Sequence, residues 1–245
     1  MPVLLFVGAH PDDELYAAGL LAALSKRRVE IDLVCLTRGE GGGLGQPPVA
    51  TRAQLGAIRE AELRASAAVL GIGSVEMMGY VDPEPSGNPR VARAPHVDSA
   101  DLALEIMDAI QESGPDAILT HGSNGEYGHP AHRLVHLAVL QGKAWSQAKG
   151  DSSVLYTFNA AAPGVSLWGG VNPDDPADLV FDATPWLDAK IRAFEAHASQ
   201  RHLWLRPGGP ATTEEYVRAH AFQETYRRFG PPRGDDPLRS WLSRP

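Results

Sequence analysis

Short, almost continuously apolar runs alternate with longer helix-forming segments along the chain, and this alternation is what most constrains the fold. Apolar runs without a polar face are typical of strands in a parallel sheet that helices cover on both sides. The sequence therefore predicts an α/β fold, a Rossmann-like three-layer sandwich with a mostly parallel central sheet. The predicted strands are residues 3–9, 31–37, 74–80, 117–121, 154–158 and 179–181. The predicted helices are residues 14–28, 51–70, 100–113, 130–148, 186–199 and about 213–228.

Length, charge and cysteine content limit the class of protein. A chain of 245 residues can bury a core without disulfides, so we expect one domain over residues 1–245, with a core at about 3–140 and a looser part at 150–245. The net charge of −8 argues against nucleic-acid binding, and the single cysteine, Cys35, favours a reducing compartment. Because neither a signal-peptide pattern nor an apolar run of ~20 residues is present, we expect a soluble cytoplasmic protein with no membrane contact. The oligomeric state, including a homo-oligomer, stays open.

Two histidine-containing segments each follow a predicted strand. Residues 8–14 read Gly-Ala-His-Pro-Asp-Asp-Glu, and residues 121–132 read His-Gly-Ser-Asn-Gly-Glu-Tyr-Gly-His-Pro-Ala-His. Proline is favoured at the first helical position, so His10 and His129 lie near the starts of helices. In a Rossmann-like sheet the first and fourth strands are neighbours, and ligands bind at their carboxyl ends. We therefore expect the two segments to meet in one crevice.

The residue types in these segments suit a divalent metal. Zinc takes imidazole nitrogen and carboxylate oxygen, and a catalytic zinc site keeps one position open. His10, Asp13 and His132 form such a set, because a three-residue spacing places paired side chains on one face of a helical turn. Asp12 points elsewhere and stays free to act as a base, and His129 is not needed as a ligand. Zinc is the expected metal, with iron(II) as the alternative.

Two other interpretations compete with a zinc site. Acidic residues in a first helical turn complement the helix dipole, so residues 11–14 alone could mark only a helix start. A carboxylate-based magnesium site of a phosphohydrolase is the second alternative. Magnesium prefers oxygen ligands, and the histidines argue against it.

At these residues the sequence resembles the PIG-L/LmbE-like family of zinc-dependent N-acetylglucosaminyl deacetylases. The similarity covers about residues 3–140 and is loose beyond, where His197-x-Ser199-Gln200 is the remaining match. It rests on six motifs in order: Ala9-His10-Pro11-Asp12-Asp13-Glu14, Thr37-x-Gly39-Glu40, Arg59-Glu60-x-Glu62-Leu63, Leu70-Gly71, Gly79-Tyr80-x-Asp82 and Asn124-Gly125-x-Tyr127-Gly128-His129-Pro130-x-His132.

The resemblance implies a single deacetylase domain with assigned residue roles. His10, Asp13 and His132 would hold the metal, Asp12 would be the general base, and His129 would stabilise the oxyanion. The three residues that would contact an amino sugar are Arg59, Asp82 and Tyr127. The implied function is removal of an acetyl group from an N-acetylglucosamine-containing small molecule, for example a precursor of a low-molecular-weight thiol.

One position departs from the family pattern. The family usually has aspartate between the two histidines of the last motif, and this chain has Ala131. If that aspartate tunes His129 or His132, the present chain needs another means, such as a different acid nearby. An amidase acting on a thiol conjugate, and a metal- and sugar-binding protein without catalysis, are the alternatives. Ala131 favours the second and Asp12 disfavours it.

Three further histidines and two loops are candidates for supporting roles. We expect His136 to lie one turn deeper than His132 and to pack behind the site. His121 could line the crevice, and His197 could contribute through the loose C-terminal motif. The glycine-rich loop at 39–50 lacks the Gly-Lys-Ser/Thr ending of a phosphate loop, so it is predicted to be a mobile substrate loop. The proline-rich segment 82–99 is predicted to be a second functional loop.

Overall fold

The computed structural model describes residues 1–45, 47–84, 92–229 and 236–244. In these ranges we find no helix whose length and apolar character would let it cross a membrane. The strands are β1 Val3–Gly8, β2 Glu30–Thr37, β3 Ser74–Tyr80, β4 Ala117–Thr120, β5 Val154–Phe158, β6 Ala160–Ala161, β7 Asn172–Pro176, β8 Leu179–Asp182 and β9 Gln223–Phe229. The α-helices are α1 Ala18–Lys26, α2 Arg52–Leu70, α3 Ser99–Ser113, α4 Gly125–Gly128, α5 Pro130–Gln147, α6 Leu187–Ala196, α7 Thr213–His220 and α8 Pro237–Leu242, and 3₁₀ turns occupy Asp13–Ala17, Thr184–Trp186 and Ala198–Leu203.

The central sheet, as far as the described residues show it, has seven strands in the order β3-β2-β1-β4-β5-β9-β8. The five strands from β3 to β5 in this order are parallel, whereas β9 runs antiparallel to both of its neighbours. The predicted Rossmann-like α/β architecture is therefore confirmed. β1 pairs with β2 on one side and β4 on the other, so the strand order reverses there. The loops that follow β1 and β4 consequently open at the same edge of the sheet.

Side chains of β1 alternate between two hydrophobic clusters. Leu4 and Phe6 belong to the cluster that includes α1, α2 and α6, while Leu5 and Val7 belong to the cluster under α3 and α5. Both faces of the strand are buried, which is why its sequence is apolar without interruption. This packing fixes the position of the loop that starts at Ala9.

The prediction of a helix near residues 213–228 is wrong for the second half of this segment. α7 ends at His220, and residues 223–229 form β9, which is paired on both sides by β5 and β8. Hydrogen bonding along both edges favours the extended chain over the helix that the local pattern also allows. From this strand, Glu224 accepts the backbone N–H groups of Gly19 (2.7 Å) and Leu20 (2.9 Å) and pairs with Lys190 (2.5 Å). The strand thereby holds the start of α1.

Two further elements differ from expectation. The segment after β1 begins as the 3₁₀ turn Asp13–Ala17 and becomes α-helical only at Ala18. The predicted helix over 186–199 ends at Ala196 and continues as a 3₁₀ turn. Of the predicted functional loop at 82–99, residues 85–91 lie outside the described residues.

Candidate metal centre and active site

The loop after β1 is fixed by the side chain of Asp13. Its Oδ2 atom accepts the backbone N–H groups of Ala9 and His10, each at 2.7 Å. Asp12, which lies between His10 and Asp13, has φ of 109°, in the left-handed region, where residues other than glycine are strained. The two carboxylates have different partners, since Asp12 faces Arg59 while Asp13 faces His132. The roles of base and ligand stay predictions.

The loop after β4 carries the second set of side chains. It passes through a kinked turn, in which Glu126 has φ of 61°, and reaches His129, the N-cap of α5. Pro130 occupies the first turn of α5, and His132 follows it in the same turn. His10 and His132 are thereby in contact although 122 positions separate them in the sequence.

The three predicted metal ligands converge. Nε2 of His132 lies 3.3 Å from Nδ1 of His10 and 3.4 Å from Oδ1 of Asp13, and Nδ1 of His10 lies 3.8 Å from Oδ2 of Asp13. Ligands of a tetrahedral zinc ion at ordinary bond lengths stand about 3.3 Å apart. All three residues are buried, with 7 %, 2 % and 2 % exposure for His10, Asp13 and His132. The donor set therefore fits a divalent metal.

Two overlapping sets of side chains in the described residues could surround an ion. One consists of His10, His129 and His132, and the other of Asp13, His121 and His132. His132 belongs to both. The predicted ligand set contains His10 from the first set, Asp13 from the second, and His132 from both. His132 is therefore at the centre of the cluster.

His129 lies at the edge of this cluster. Its ring stacks on the His132 ring at a centroid distance of 4.4 Å, and its Nδ1 accepts the backbone N–H of Ala131 at 3.2 Å. Since Nδ1 accepts a hydrogen bond, the ring proton sits on Nε2. Partial burial and the neighbouring His10 and His132 hold the pKa of His129 well below its usual range. A neutral imidazole that donates from Nε2 is therefore favoured over an imidazolium cation.

Asp12 is paired with Arg59. Their Oδ2 and Nη2 atoms are 3.1 Å apart, and Arg59 also donates to the carbonyls of Pro11 (2.5 Å) and Gly39 (3.0 Å). Burial raises the pKa of Asp12 to about 6, although Arg59 opposes the rise. Arg59 is 3 % exposed and holds the Asp12 loop. Its predicted contact with a substrate is not tested by this arrangement.

The two remaining predicted substrate residues occupy different environments. Asp82 is 8 % exposed, and its Oδ1 lies 3.6 Å from Nε2 of His10, on the side opposite to His132. Tyr127 is 60 % exposed and stands edge-on to the rings of His129 and His132, at 5.6 and 5.7 Å. Tyr127 is thus the one of the three that borders the cluster from the solvent side.

Residues that sequence reasoning did not identify surround the cluster. Glu126 and Asn172 were missed, because their roles depend on loop conformation and on a contact across 46 positions. His121, a candidate for the crevice, is fully buried, and its two ring nitrogens lie 3.1 Å from Asp13 and 3.0 Å from Glu126. Burial lowers the pKa of His121, but these two carboxylates outweigh it and raise the pKa to about 10.

Two other histidines lie behind the cluster. Nδ1 of His136 is 2.9 Å from the carbonyl of His121, so His136 packs one turn below His132 in α5, as expected. His197 is fully buried and lies 2.5 Å from Oε1 of Glu14. The other oxygen of Glu14 accepts the backbone N–H of Asp12 at 3.1 Å. His197 therefore acts on the site through Glu14.

The glycine-rich loop is held by two arginines of α2. Arg52 donates to the carbonyls of Glu40 (2.5 Å) and Gly42 (2.7 Å), and Arg59 donates to that of Gly39. Gly39 has φ of 65°, and a Cβ there would lie 2.2 Å from the Arg59 guanidinium. This part of the loop thus packs on the arginine beside Asp12. Its predicted mobility stays a prediction, and Gln46 lies outside the described residues.

Comparison with known proteins gives consistent matches. Residues 5–142 match the family model described as PIG-L, GlcNAc-PI de-N-acetylase. A 1D-myo-inositol 2-acetamido-2-deoxy-alpha-D-glucopyranoside deacetylase of Mycolicibacterium smegmatis is 33 % identical over 243 residues, covering 86 % of this chain and 83 % of the relative. A probable N-acetyl-alpha-D-glucosaminyl L-malate deacetylase 2 of Bacillus anthracis is 33 % identical over 198 residues, covering 80 % of each chain.

Solved structures share the fold at lower identity. The 4-carboxy-2-hydroxymuconate hydratase GalB of Pseudomonas putida superposes with a TM-score of 0.68 at 22 % identity, covering 96 % of this chain and 99 % of its own. The N,N'-diacetylchitobiose deacetylase of Pyrococcus horikoshii superposes with a TM-score of 0.67 at 19 % identity, covering 93 % and 83 %. A hydratase and a deacetylase thus share this architecture, so these likenesses bear on the fold alone.

Proposed function

The chain belongs to the PIG-L (GlcNAc-PI de-N-acetylase) family, and from this we propose that it is a metal-dependent hydrolase that removes an acetyl group from an N-acetylglucosamine-containing small molecule. The observation that carries the proposal is the convergence of His10, Asp13 and His132 beside Asp12. Relatives whose names specify inositol- and malate-linked amino sugars support the substrate class. A precursor of a low-molecular-weight thiol is the substrate that we favour.

We assign the metal to His10, Asp13 and His132. Two imidazoles and one carboxylate with an open position suit zinc, and iron(II) is the alternative. When bound, a divalent ion supplies Lewis acidity that acidifies a water molecule and polarises an amide carbonyl. The burial of the three side chains supports tight binding, since little competing water reaches them.

Asp12 is the general base in this proposal. With a pKa of about 6 it is ionised at neutral pH and accepts the proton of the attacking water. Arg59 holds the carboxylate in place at 3.1 Å. The protonated Asp12 then delivers the proton to the leaving amine, which releases acetate and the free amino sugar.

We assign to His129 the stabilisation of the oxyanion. As a neutral imidazole with its proton on Nε2, it donates a hydrogen bond to the carbonyl oxygen as negative charge develops there. Donation of the amine proton by His129 is the rival assignment, and its low pKa argues against it. Among the candidate substrate residues, we assign Tyr127 to cover the sugar, because it borders the cluster from the solvent side. Arg59 of α2 and Asp82, after β3, would also contact the sugar.

Acetate release from N-acetylglucosamine conjugates tests the function. We expect release by the zinc-loaded protein, loss of release after chelation, and recovery on adding zinc back. A thiol-conjugate amide assayed in parallel separates deacetylase from amidase. A protein that holds zinc but releases acetate from no amino-sugar amide would contradict the proposal and favour the non-catalytic binding protein.

A further inference from the structure

We propose that Glu126 is the positioning carboxylate that holds His132 in its metal-binding tautomer. The inference rests on the proposed metal site and concerns how the site is built. Nδ1 of His132 lies 2.6 Å from Oε2 of Glu126, so Nδ1 carries a proton and donates it. The lone pair of Nε2 is then directed at His10 and Asp13, as a ligand requires.

The hydrogen bonds of Glu126 require a carboxylate. Oε2 lies 3.0 Å from Nδ1 of His121 and 2.6 Å from Nδ1 of His132, while Oε1 accepts the backbone N–H of Gly122 (3.0 Å) and the Asn172 amide (3.2 Å). A glutamine presents an acceptor on one side and a donor on the other. In Glu126→Gln, the amide NH₂ group would therefore face donor groups, either those of the two histidines or those of Gly122 and Asn172. The hydrogen-bond geometry therefore calls for the charged form of Glu126.

Glu126 also links the two metal-binding loops. His121 spans from Glu126 to Oδ2 of Asp13, and Oδ1 of Asp13 faces His132, which closes a ring of four side chains. The His121 and His132 rings stack at 4.0 Å with an interplanar angle of 23°. The ligand of the β1 loop and the ligand of α5 thus share one support.

Ala131 cannot perform this role. It is fully buried among apolar residues of the α3–α5 cluster, and its backbone N–H is donated to His129. Its methyl group offers no acceptor. Glu126, by contrast, is held in its left-handed conformation by the Asn172 side chain, whose Oδ1 accepts the Glu126 backbone N–H at 3.0 Å.

The first test uses the metal-free wild-type protein. With ¹⁵N-labelled histidine, the His132 ring, identified by its disappearance in His132→Gln, is expected to carry its proton on Nδ1. A His132 proton on Nε2 would overturn the proposal. This measurement needs neither zinc nor substrate, so it tests the role of Glu126 even if Glu126 variants do not fold.

The second test measures zinc affinity by competition with a chelating dye. Glu126→Gln should bind zinc ~10- to 100-fold more weakly than wild type. The control is Glu224→Gln, which neutralises another buried carboxylate that accepts backbone N–H groups, outside the metal cluster. We expect wild-type zinc affinity in this control. Unchanged affinity in Glu126→Gln, or an equal loss in Glu224→Gln, would overturn the inference.

The outcomes separate this inference from the proposed function. A protein that loses zinc affinity on Glu126→Gln yet releases no acetate refutes the function and supports the role of Glu126. A protein that releases acetate while Glu126→Gln keeps full zinc affinity supports the function and refutes the role.

Discussion

The segment that matches the family model, residues 5–142, and the segment that follows it contribute to the site in different ways. The first contains the candidate ligands, the proposed base and the candidate substrate contacts. The second supplies side chains that hold those residues: Asn172 at the Glu126 loop, Asp175 at Ser123, and His197 at Glu14. The chemistry is encoded locally, while its orientation depends on residues far along the chain.

This division has a physical basis. The loops after β1 and β4 contain backbone in left-handed conformations at Asp12 and Glu126, which cost energy unless neighbouring groups fix them. Glu14 accepts the N–H of Asp12 and is itself paired with His197, and Asn172 accepts the N–H of Glu126. The C-terminal part therefore stabilises the strained loops.

The largest expected effect is on folding, from His197→Leu. The change leaves the buried Glu14 without its cation, which costs about 3–5 kcal/mol of unfolding free energy, measured by urea denaturation. Burial lowers the pKa of His197, but Glu14 outweighs it and raises the pKa. The stabilisation is therefore complete below the unfolded-state pKa of ~6.5 and is lost as pH rises through the raised folded value.

The stability gap between wild type and His197→Leu should accordingly narrow as pH rises from about 6.5 through the raised folded-state pKa of His197. His220→Leu, at an exposed histidine of α7, is the control and should change stability by at most ~0.5 kcal/mol. If both variants lost the same stability, the C-terminal part would have no special role in holding the β1 loop.

Next in size is Asp12→Asn, which probes the chemistry of the first segment. Asparagine tolerates the left-handed backbone and keeps the shape of the side chain, but it cannot accept a proton. Turnover should fall ~100-fold or more while zinc binding is retained. Steady-state rates and metal content measure the two properties. Near wild-type turnover would remove Asp12 from the role of base.

A moderate effect is expected for Asn172→Ala. The variant leaves the buried backbone N–H of Glu126 and the partly buried backbone N–H of Asn124 without their acceptor. Unfolding free energy should drop by about 1–3 kcal/mol, with a parallel loss of zinc affinity as the Glu126 loop loosens. Calorimetry and dye competition check this. A stability loss with intact zinc affinity would show that the second segment supports the fold without orienting the ligands.

The smallest effect is expected for Glu60→Gln, within the matched segment. Glu60 pairs with Arg38 and Arg64 on an accessible face of α2, where ion pairs contribute ~0–1 kcal/mol. Turnover should stay at the wild-type level. A loss of unfolding free energy as large as that expected for Asn172→Ala would mean that a residue matters because it belongs to a family motif, whether or not it contacts the site.

The fold and the convergence of the two motifs were predictable for a common reason. Strand order in a parallel sheet follows general rules of connection, so His10 and His132 could be placed together from 122 positions apart. The support for these residues was not predictable. Glu126 looks like one polar residue in a glycine-rich loop, and the contact of His197 with Glu14 spans 183 positions without a shared pattern.

Glu224 has a consequence for how the chain reaches its native state. Its carboxylate accepts the first N–H groups of α1, although Glu224 lies 205 positions beyond Gly19 in the sequence. In a nascent chain the start of α1 therefore has no such partner until β9 has left the ribosome. Contacts this distant slow folding, because a large loop must close before they form. The β1–α1 unit, although synthesised before β9, gains this contact only once β9 is in place.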